Sequence, residues 1–202
     1  MNQRERMLQG LPYKAWLDGL AQERTSCKEK IYEFNMLHPK ERDKIPELLK
    51  KILGKTGDNV WIEAPFHCDY GWNIEVGENF FANYGLTILD VGKVTIGENA
   101  QIAPNVSIYT AGHPIHPDSR NSGYEYGIPI TIGDNVWIGG NSVILPGVHI
   151  GNNVVIGSGS VVTKDIPDNM IAAGNPCRVI REITEKDRKY YYKDREFDVD
   201  DY

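Results

Sequence analysis

An aliphatic residue stands at every sixth position of the chain between Ile132 and Val162. Neither an α-helix, which repeats every 3.6 residues, nor a strand, which alternates every two, produces this spacing. A period of six is typical of a hexapeptide β-helix, in which short parallel strands joined by tight turns stack into a coil. The pattern therefore predicts an all-β core built as a parallel β-helix. The series comprises Ile132, Ile138, Ile144, Ile150, Ile156 and Val162.

The turns between these strands have a recurring sequence. Three times the aliphatic position is followed by Gly, an acidic residue and Asn, in residues 76–79, 96–99 and 132–135. Gly and Asn accept a positive φ, and Asp and Asn bond their own backbone, so these segments are predicted to form corners. Three short strands would then complete one triangular coil.

The chain divides into three regions. Residues 1–57 carry apolar side chains at helical spacing and are predicted to form a helical cap over one end of the coil, which would otherwise be an open sheet edge. Residues 58–174 form the predicted β-helix, interrupted by a loop at 110–128. Residues 175–202 form a tail, in which Thr184 and Asp187 predict the start of a short helix that runs to about Arg195.

Composition excludes several classes of function. The net charge of −6 gives no basic surface for nucleic acid, and no apolar run approaches the ~20 residues that span a bilayer. The first ten residues lack the apolar stretch of a signal peptide. Cys27, Cys68 and Cys177 are odd in number and widely spaced, so we expect free thiols and a cytoplasmic protein.

The interruption of the repeat is the predicted location of the functional site, because long loops that project from a regular scaffold are usually functional. His113 lies between Gly112 and Pro114, and the following proline restricts its backbone to extended forms. An imidazole is suited to removing a proton from a hydroxyl near neutral pH. The residues alone leave a packing role and a general-base role for His113 equally open.

His116 and Asp118 also suggest a metal site, because His-x-x-His with a nearby Asp supplies metal ligands. The spacing falls on a proline-flanked loop, so the two imidazoles need not converge. No fourth ligand is evident, whereas structural zinc takes four. The sequence therefore predicts no metal site.

Several motifs together resemble the maltose/galactoside O-acetyltransferase family of hexapeptide-repeat acyltransferases. The resemblance covers most of the chain. It implies a left-handed parallel β-helix, a homotrimer with active sites between subunits, and acetyl transfer from acetyl-CoA to a sugar hydroxyl without a metal. The motifs that carry it are the coil itself, residues 32–35, 68–74, 112–117 and 135–140, and the tail 173–180.

The resemblance also implies roles for individual residues. It implies that His113 is the catalytic base and that Glu125, or a nearby acceptor, orients it. Gly140 would supply a backbone N–H to the oxyanion, at a position where family members can carry Ser. The coenzyme groove would be lined by Asn83, Trp137, Gly140, Ser158, Thr163, Lys164, Arg178 and Arg181. The acceptor would be contacted by Asp18, Asp69, Asn83 and Asp90.

The acceptor is less well specified than the reaction. In the galactoside branch a carboxylate corresponds to a position where this chain has Ala15, whereas residues 121–123 look closer to the maltose branch. Asp69, Asn83 and Asp90 could also be ordinary turn residues. Two other functions stay open: a metal-dependent β-helix enzyme of carbonic-anhydrase type, which needs three converging imidazoles, and a non-catalytic binding scaffold.

Overall fold

The six-residue pattern folds into three parallel sheets that form the faces of a triangular coil. The computed structural model describes residues 1–201. The first face contains β1 Lys55–Thr56, β4 Ile74–Val76, β7 Val94–Ile96, β12 Ile130–Ile132 and β15 His149–Ile150. The second contains β2 Trp61–Ile62, β5 Phe81–Ala82, β8 Gln101–Ile102, β13 Trp137–Ile138, β16 Val155–Ile156 and β18 Met170–Ala173. The third contains β3 His67–Cys68, β6 Thr87–Leu89, β9 Ser107–Tyr109, β14 Val143–Ile144 and β17 Val161–Val162.

The aliphatic residues that define the repeat form the core of the coil. In-register pairing stacks Ile96 on Ile132 and Ile132 on Ile150 along the first face. Every member of the series from Ile132 to Val162 is at most 1% exposed. Each fully buried aliphatic side chain contributes roughly 1.5–3 kcal/mol relative to exposure. The predicted parallel β-helix is therefore confirmed.

The corner between the first and second faces is a ladder of asparagines. Asn79, Asn99 and Asn135, the three residues predicted to form turns, have φ of 55°, 55° and 56°. Each side-chain amide donates to the carbonyl of the next Asn, as from Asn79 to Asn99 at 2.9 Å. Asn suits this corner because it tolerates a positive φ and can both donate and accept. The full column is Asn59, Asn79, Asn99, Asn135, Asn153 and Asn169.

Helices cover the start of the coil. They are α1 Gln3–Leu8, α2 Leu20–Asn35, a 3₁₀ helix at Pro39–Lys44 and α3 Ile45–Ile52. The predicted apolar stripe of α3 is buried against the coil, at Ile45, Leu48, Leu49 and Ile52.

A second, smaller core lies beside the main one. It contains Met7, Tyr13, Leu20, Tyr70 and Val91, all at most 3% exposed. The N-terminal segment therefore covers a corner of the coil as well as contributing to the helices at its end. This contact was not predicted, because no local pattern links residues so far apart in the chain.

The interruption forms a hairpin with a helical tip. β10 Ala111–Gly112 pairs antiparallel with β11 Tyr126–Gly127, and α4 Pro117–Asn121 lies between them. Gly112 is required at this pairing, because a Cβ there would lie 2.6–2.7 Å from the Tyr126 ring.

The tail differs from its prediction. β19 Arg178–Glu182 returns antiparallel to β18, and α5 Glu185–Lys189 starts at the predicted Thr184 cap. The prediction that this helix continues to about Arg195 is wrong. The helix ends at Lys189 because Tyr190 is extended, and β20 Tyr190–Tyr192 pairs with β21 Arg195–Glu196. A run of tyrosines has a high strand propensity.

Within residues 1–201, no helix combines the length and apolar character needed to cross a bilayer.

Candidate active site

The candidate residues lie at two different corners of the coil. The hairpin leaves the corner between the third and first faces, after β9, as do the loops that carry Asp69 and Asp90 after β3 and β6. Gly140 and Asn83 lie at the corner between the second and third faces, after β13 and β5. One chain therefore carries two separate half-sites.

His113 is exposed on the hairpin, immediately after the last paired residue of β10. Gly112 is paired with Tyr126, so the next residues on the two strands, His113 and Glu125, leave the ladder side by side. His113 forms no hydrogen bond with residues 1–201. Its imidazole is free to meet a ligand, as a general base requires.

The hydrogen bonds of Glu125 connect it to Tyr13. The Tyr13 hydroxyl donates to Glu125 Oε1 in a short hydrogen bond. The two residues also form a backbone bridge, with Tyr13 N–H to Glu125 O at 2.9 Å and Glu125 N–H to Tyr13 O at 3.0 Å. Glu125 and His113 therefore face each other at the end of the hairpin ladder. In the described residues they share no hydrogen bond.

Asp90 lies beneath the surface. It is 0% exposed, and its Oδ1 accepts N–H bonds from Asp69 at 2.8 Å and from Tyr70 at 2.9 Å. Burial raises the pKa of this carboxyl to about 6, and its Oδ2 has no partner in the described chain. The Asp90 carboxylate is therefore closed off from the surface in the described chain. The side chain instead holds the Asp69–Tyr70 backbone in place.

Asp69 is the more accessible of the two carboxylates. It borders a surface cavity of about 430 Å³ whose other lining residues, including Ile31, Met36 and Leu89, are mostly apolar. Burial raises the pKa of Asp69, and the nearby Arg24 lowers it. A half-buried carboxylate beside an apolar surface can accept hydrogen bonds from hydroxyl groups.

Asn83 and Asp18 have local bonding roles. The side chain of Asn83 accepts the N–H of Tyr84 at 2.8 Å, which makes it a turn residue at its corner. Asp18 is exposed, with φ of 53°, and its Oδ2 accepts the N–H of Gln3 at 2.7 Å. Asn83 keeps its amide nitrogen free for a ligand, whereas Asp18 lies on the N-terminal segment.

The backbone N–H of Gly140 has no partner in residues 1–201. Its neighbours are paired: Gly139 N–H donates to Ile156 O at 2.7 Å, and Asn141 N–H to Pro104 O at 2.9 Å. Register places Gly140 directly above Pro104, a residue that has no N–H. The Gly140 corner therefore carries an N–H group without a partner in residues 1–201, the kind of donor that stabilises an oxyanion.

Trp137 and Ser158 flank this corner. Trp137 is 53% exposed on the outer side of β13, between Gln101 and Val155 of the adjacent strands. Ser158 is exposed one coil further on, where Gly159 N–H donates to Gly140 O at 2.8 Å. An exposed indole next to a free N–H offers an apolar surface beside a polar anchor.

The four remaining groove candidates are exposed. Thr163 and Lys164 follow β17, at the corner between the third and first faces. Arg178 begins β19 and donates to Cys177 O at 2.8 Å. Arg181 is held by Asp187, with its two nitrogens 2.7 and 2.6 Å from the carboxylate oxygens, so it has the least capacity left for a phosphate.

The second histidine of the His-x-x-His pair, His116, has a structural role. His116 caps α4, and its Nδ1 accepts the N–H of Asp118 at 3.3 Å. Among residues 1–201, no three His, Cys, Asp or Glu side chains are grouped so that they could hold a metal ion.

Comparison with known proteins gives matches over most of the chain. Residues 6–57 match the maltose acetyltransferase hexapeptide capping motif, and residues 129–164 match the bacterial transferase hexapeptide family of six repeats. The galactoside O-acetyltransferase of Escherichia coli (strain K12) is 52% identical, over 94% of this chain and 94% of that protein.

Two solved structures share the fold. A galactoside acetyltransferase in complex with coenzyme A superposes with a TM-score of 0.96 at 50% identity, covering 98% of this chain and all of that one. A hexapeptide-repeat acetyltransferase of Vibrio cholerae O1 biovar eltor, complexed with acetyl coenzyme A, has a TM-score of 0.84 at 32% identity, covering 91% of this chain and 100% of the other.

Proposed function

The chain belongs to the maltose/galactoside O-acetyltransferase family and is an acetyl-CoA-dependent O-acetyltransferase, and from that premise we propose that it acetylates a sugar hydroxyl with His113 as general base. Family membership decides against the carbonic-anhydrase-type enzyme and the non-catalytic scaffold. The observation that carries the proposal is the pair of half-sites, an unpaired imidazole on the hairpin and an unpaired N–H at Gly140.

The half-sites have complementary chemistry. A sugar hydroxyl becomes an adequate nucleophile when a base takes its proton as it attacks. Acetyl-CoA supplies the acetyl group as a thioester. His113 takes the hydroxyl proton, the Gly140 N–H stabilises the negative charge on the carbonyl oxygen, and the C–S bond breaks as the ester forms, so that coenzyme A leaves as a thiolate. The imidazolium then returns its proton to the leaving sulfur.

The two corners support a site between subunits of a homotrimer. In one chain, His113 and Gly140 are separated by the full third face of the coil. The hairpin also exposes Ile115 by 93%, an apolar side chain that a neighbouring subunit would cover. A neighbour's hairpin next to the Gly140 corner would complete the site.

The coenzyme would lie along the outside of the coil. Trp137 offers a surface for the pantetheine arm, Ser158 a hydroxyl, and Lys164, Arg178 and Thr163 donors for the phosphates. Arg181 would join them after releasing Asp187. Asn83, at the same corner as Gly140 but two coils away, keeps a donor for the acetyl region or the sugar.

Acceptor recognition would come from the hairpin corner. Asp69 would accept sugar hydroxyls, with Asp90 holding its backbone from below, and Asp18 would reach the acceptor from the N-terminal segment. We predict a maltose- or glucose-like acceptor or a galactoside. A cytoplasmic location remains the prediction from the sequence.

A direct assay tests the reaction. Purified protein is incubated with acetyl-CoA and a panel of mono- and disaccharides, and free thiol is measured together with the mass of the sugar product. We expect thiol release that depends on a sugar and a product heavier by one acetyl group. A rate of thiol release that no sugar in the panel raises, from protein that still binds coenzyme A, would contradict the proposed acceptor class.

A further inference from the structure

Tyr13 forms more hydrogen bonds with Glu125 than any other described residue does. Its phenol donates to Glu125 Oε1, and its backbone N–H and C=O bond the backbone of the same residue at 2.9 and 3.0 Å. The two residues are 112 positions apart in the chain. One residue of the N-terminal segment therefore holds both the main chain and the carboxylate of Glu125.

The environment of Tyr13 favours its phenol hydroxyl as a hydrogen-bond donor. The side chain is 0% exposed in the small core with Met7, Leu20, Tyr70 and Val91. Burial, and then the hydrogen bond to Glu125, raise the pKa of the Tyr13 phenol far above its ordinary value. Burial and the hydrogen bond thus both favour the protonated phenol, which donates to Glu125 Oε1.

The second carboxylate oxygen of Glu125, Oε2, is available for a further interaction. Glu125 and His113 leave the hairpin ladder as direct neighbours. With Oε1 occupied by Tyr13, Oε2 accepts no hydrogen bond from residues 1–201. A carboxylate fixed at one oxygen can present the other to an imidazole and stabilise the imidazolium form.

We propose that Tyr13 is a positioning residue that fixes Glu125 so that its free oxygen faces His113 when the hydroxyl proton is taken. This inference rests on the proposed function of His113. The small core needs only the aromatic ring, because Met7, Leu20 and Val91 are apolar. The Tyr13 hydroxyl is therefore not needed for packing, and its role is in turnover.

Tyr13→Phe keeps the ring and removes the hydroxyl. We expect kcat to fall about 10-fold, the loss typical of one hydrogen bond to a charged group, with KM for acetyl-CoA unchanged. The acidic limb of the pH–rate profile is expected to move to lower pH, as in Glu125→Gln, because the imidazolium loses its partner. Tyr124→Phe is the matched control, since the phenol of Tyr124 forms no hydrogen bond in residues 1–201.

A double-variant cycle separates positioning from packing. With Glu125→Gln already in place, adding Tyr13→Phe should lower kcat by less than 2-fold, because Tyr13 acts through Glu125. An equal loss in both backgrounds, or a kcat for Tyr13→Phe equal to that of the unaltered protein, would overturn the inference. Calorimetric binding of coenzyme A confirms that each variant is folded.

Assaying His113→Ala in parallel separates a failure of the proposed function from a failure of the positioning role of Tyr13. Normal turnover by His113→Ala would refute the proposed function itself. An inactive His113→Ala beside an unaffected Tyr13→Phe would refute only the positioning role.

Discussion

His113→Ala is expected to lower kcat by about 10²- to 10⁴-fold, the contribution usual for a general base. The substitution leaves the coil untouched, because His113 is exposed and bonds to no residue in 1–201. Coenzyme A binding should therefore be retained while thiol release with a sugar acceptor is lost. Steady-state kinetics and calorimetry on the same preparation measure both quantities.

His116→Ala is the matched control for this experiment. It lies three residues away on the same loop, and its imidazole caps α4 through the N–H of Asp118. We expect its kcat to stay within about 3-fold of the unaltered protein, because losing a cap on an exposed helix costs only ~1 kcal/mol of stability. Equal losses in His113→Ala and His116→Ala would show that the loop, and not the His113 imidazole, is responsible.

Gly140→Pro is expected to lower kcat by about 10²- to 10³-fold, the loss seen when one oxyanion donor is removed. Proline deletes the backbone N–H that is unpaired at this corner and breaks no bond of the coil, because that N–H has no partner in residues 1–201. Pro104 already occupies the same corner one coil below, so the backbone there is compatible with proline. Turnover with saturating acetyl-CoA measures the effect.

Gly140→Ala provides the comparison, since it adds a side chain and keeps the N–H. A Cβ at Gly140 would lie 3.0 Å from Pro104 O, a tight contact that a small shift relieves. We expect its activity to fall far less than that of Gly140→Pro. Equal activity of Gly140→Pro and the unaltered protein would show that this N–H does not stabilise the oxyanion.

Much of the fold follows from the sequence because the β-helix repeats a local rule. The six-residue step predicts the buried column, and the Gly–acidic–Asn segments predict the corners, since each depends on neighbours within one turn. The tail helix was predicted too long because a capping box marks only a start. The tyrosine run that follows has a strand propensity that competes with helix.

The site was predictable only in part. His113 could be singled out because it lies in the one long break of the repeat, and Gly140 through the family resemblance. Tyr13 gave no signal, because its partner Glu125 is 112 residues away and only the folded chain brings them together. The burial of Asp90 could not be predicted, because the spacing of an acidic residue at a turn does not distinguish a buried side chain from an exposed one.

The central claim is that the active site combines His113 of one subunit with the Gly140 corner of its neighbour. Mixing His113→Ala and Gly140→Pro subunits, unfolding them together and refolding them into mixed assemblies tests this directly. We expect acetyl transfer to return in the mixture, because some interfaces then pair an intact His113 with an intact Gly140. A refolded mixture as inactive as its two parents, with coenzyme A binding preserved, would contradict it.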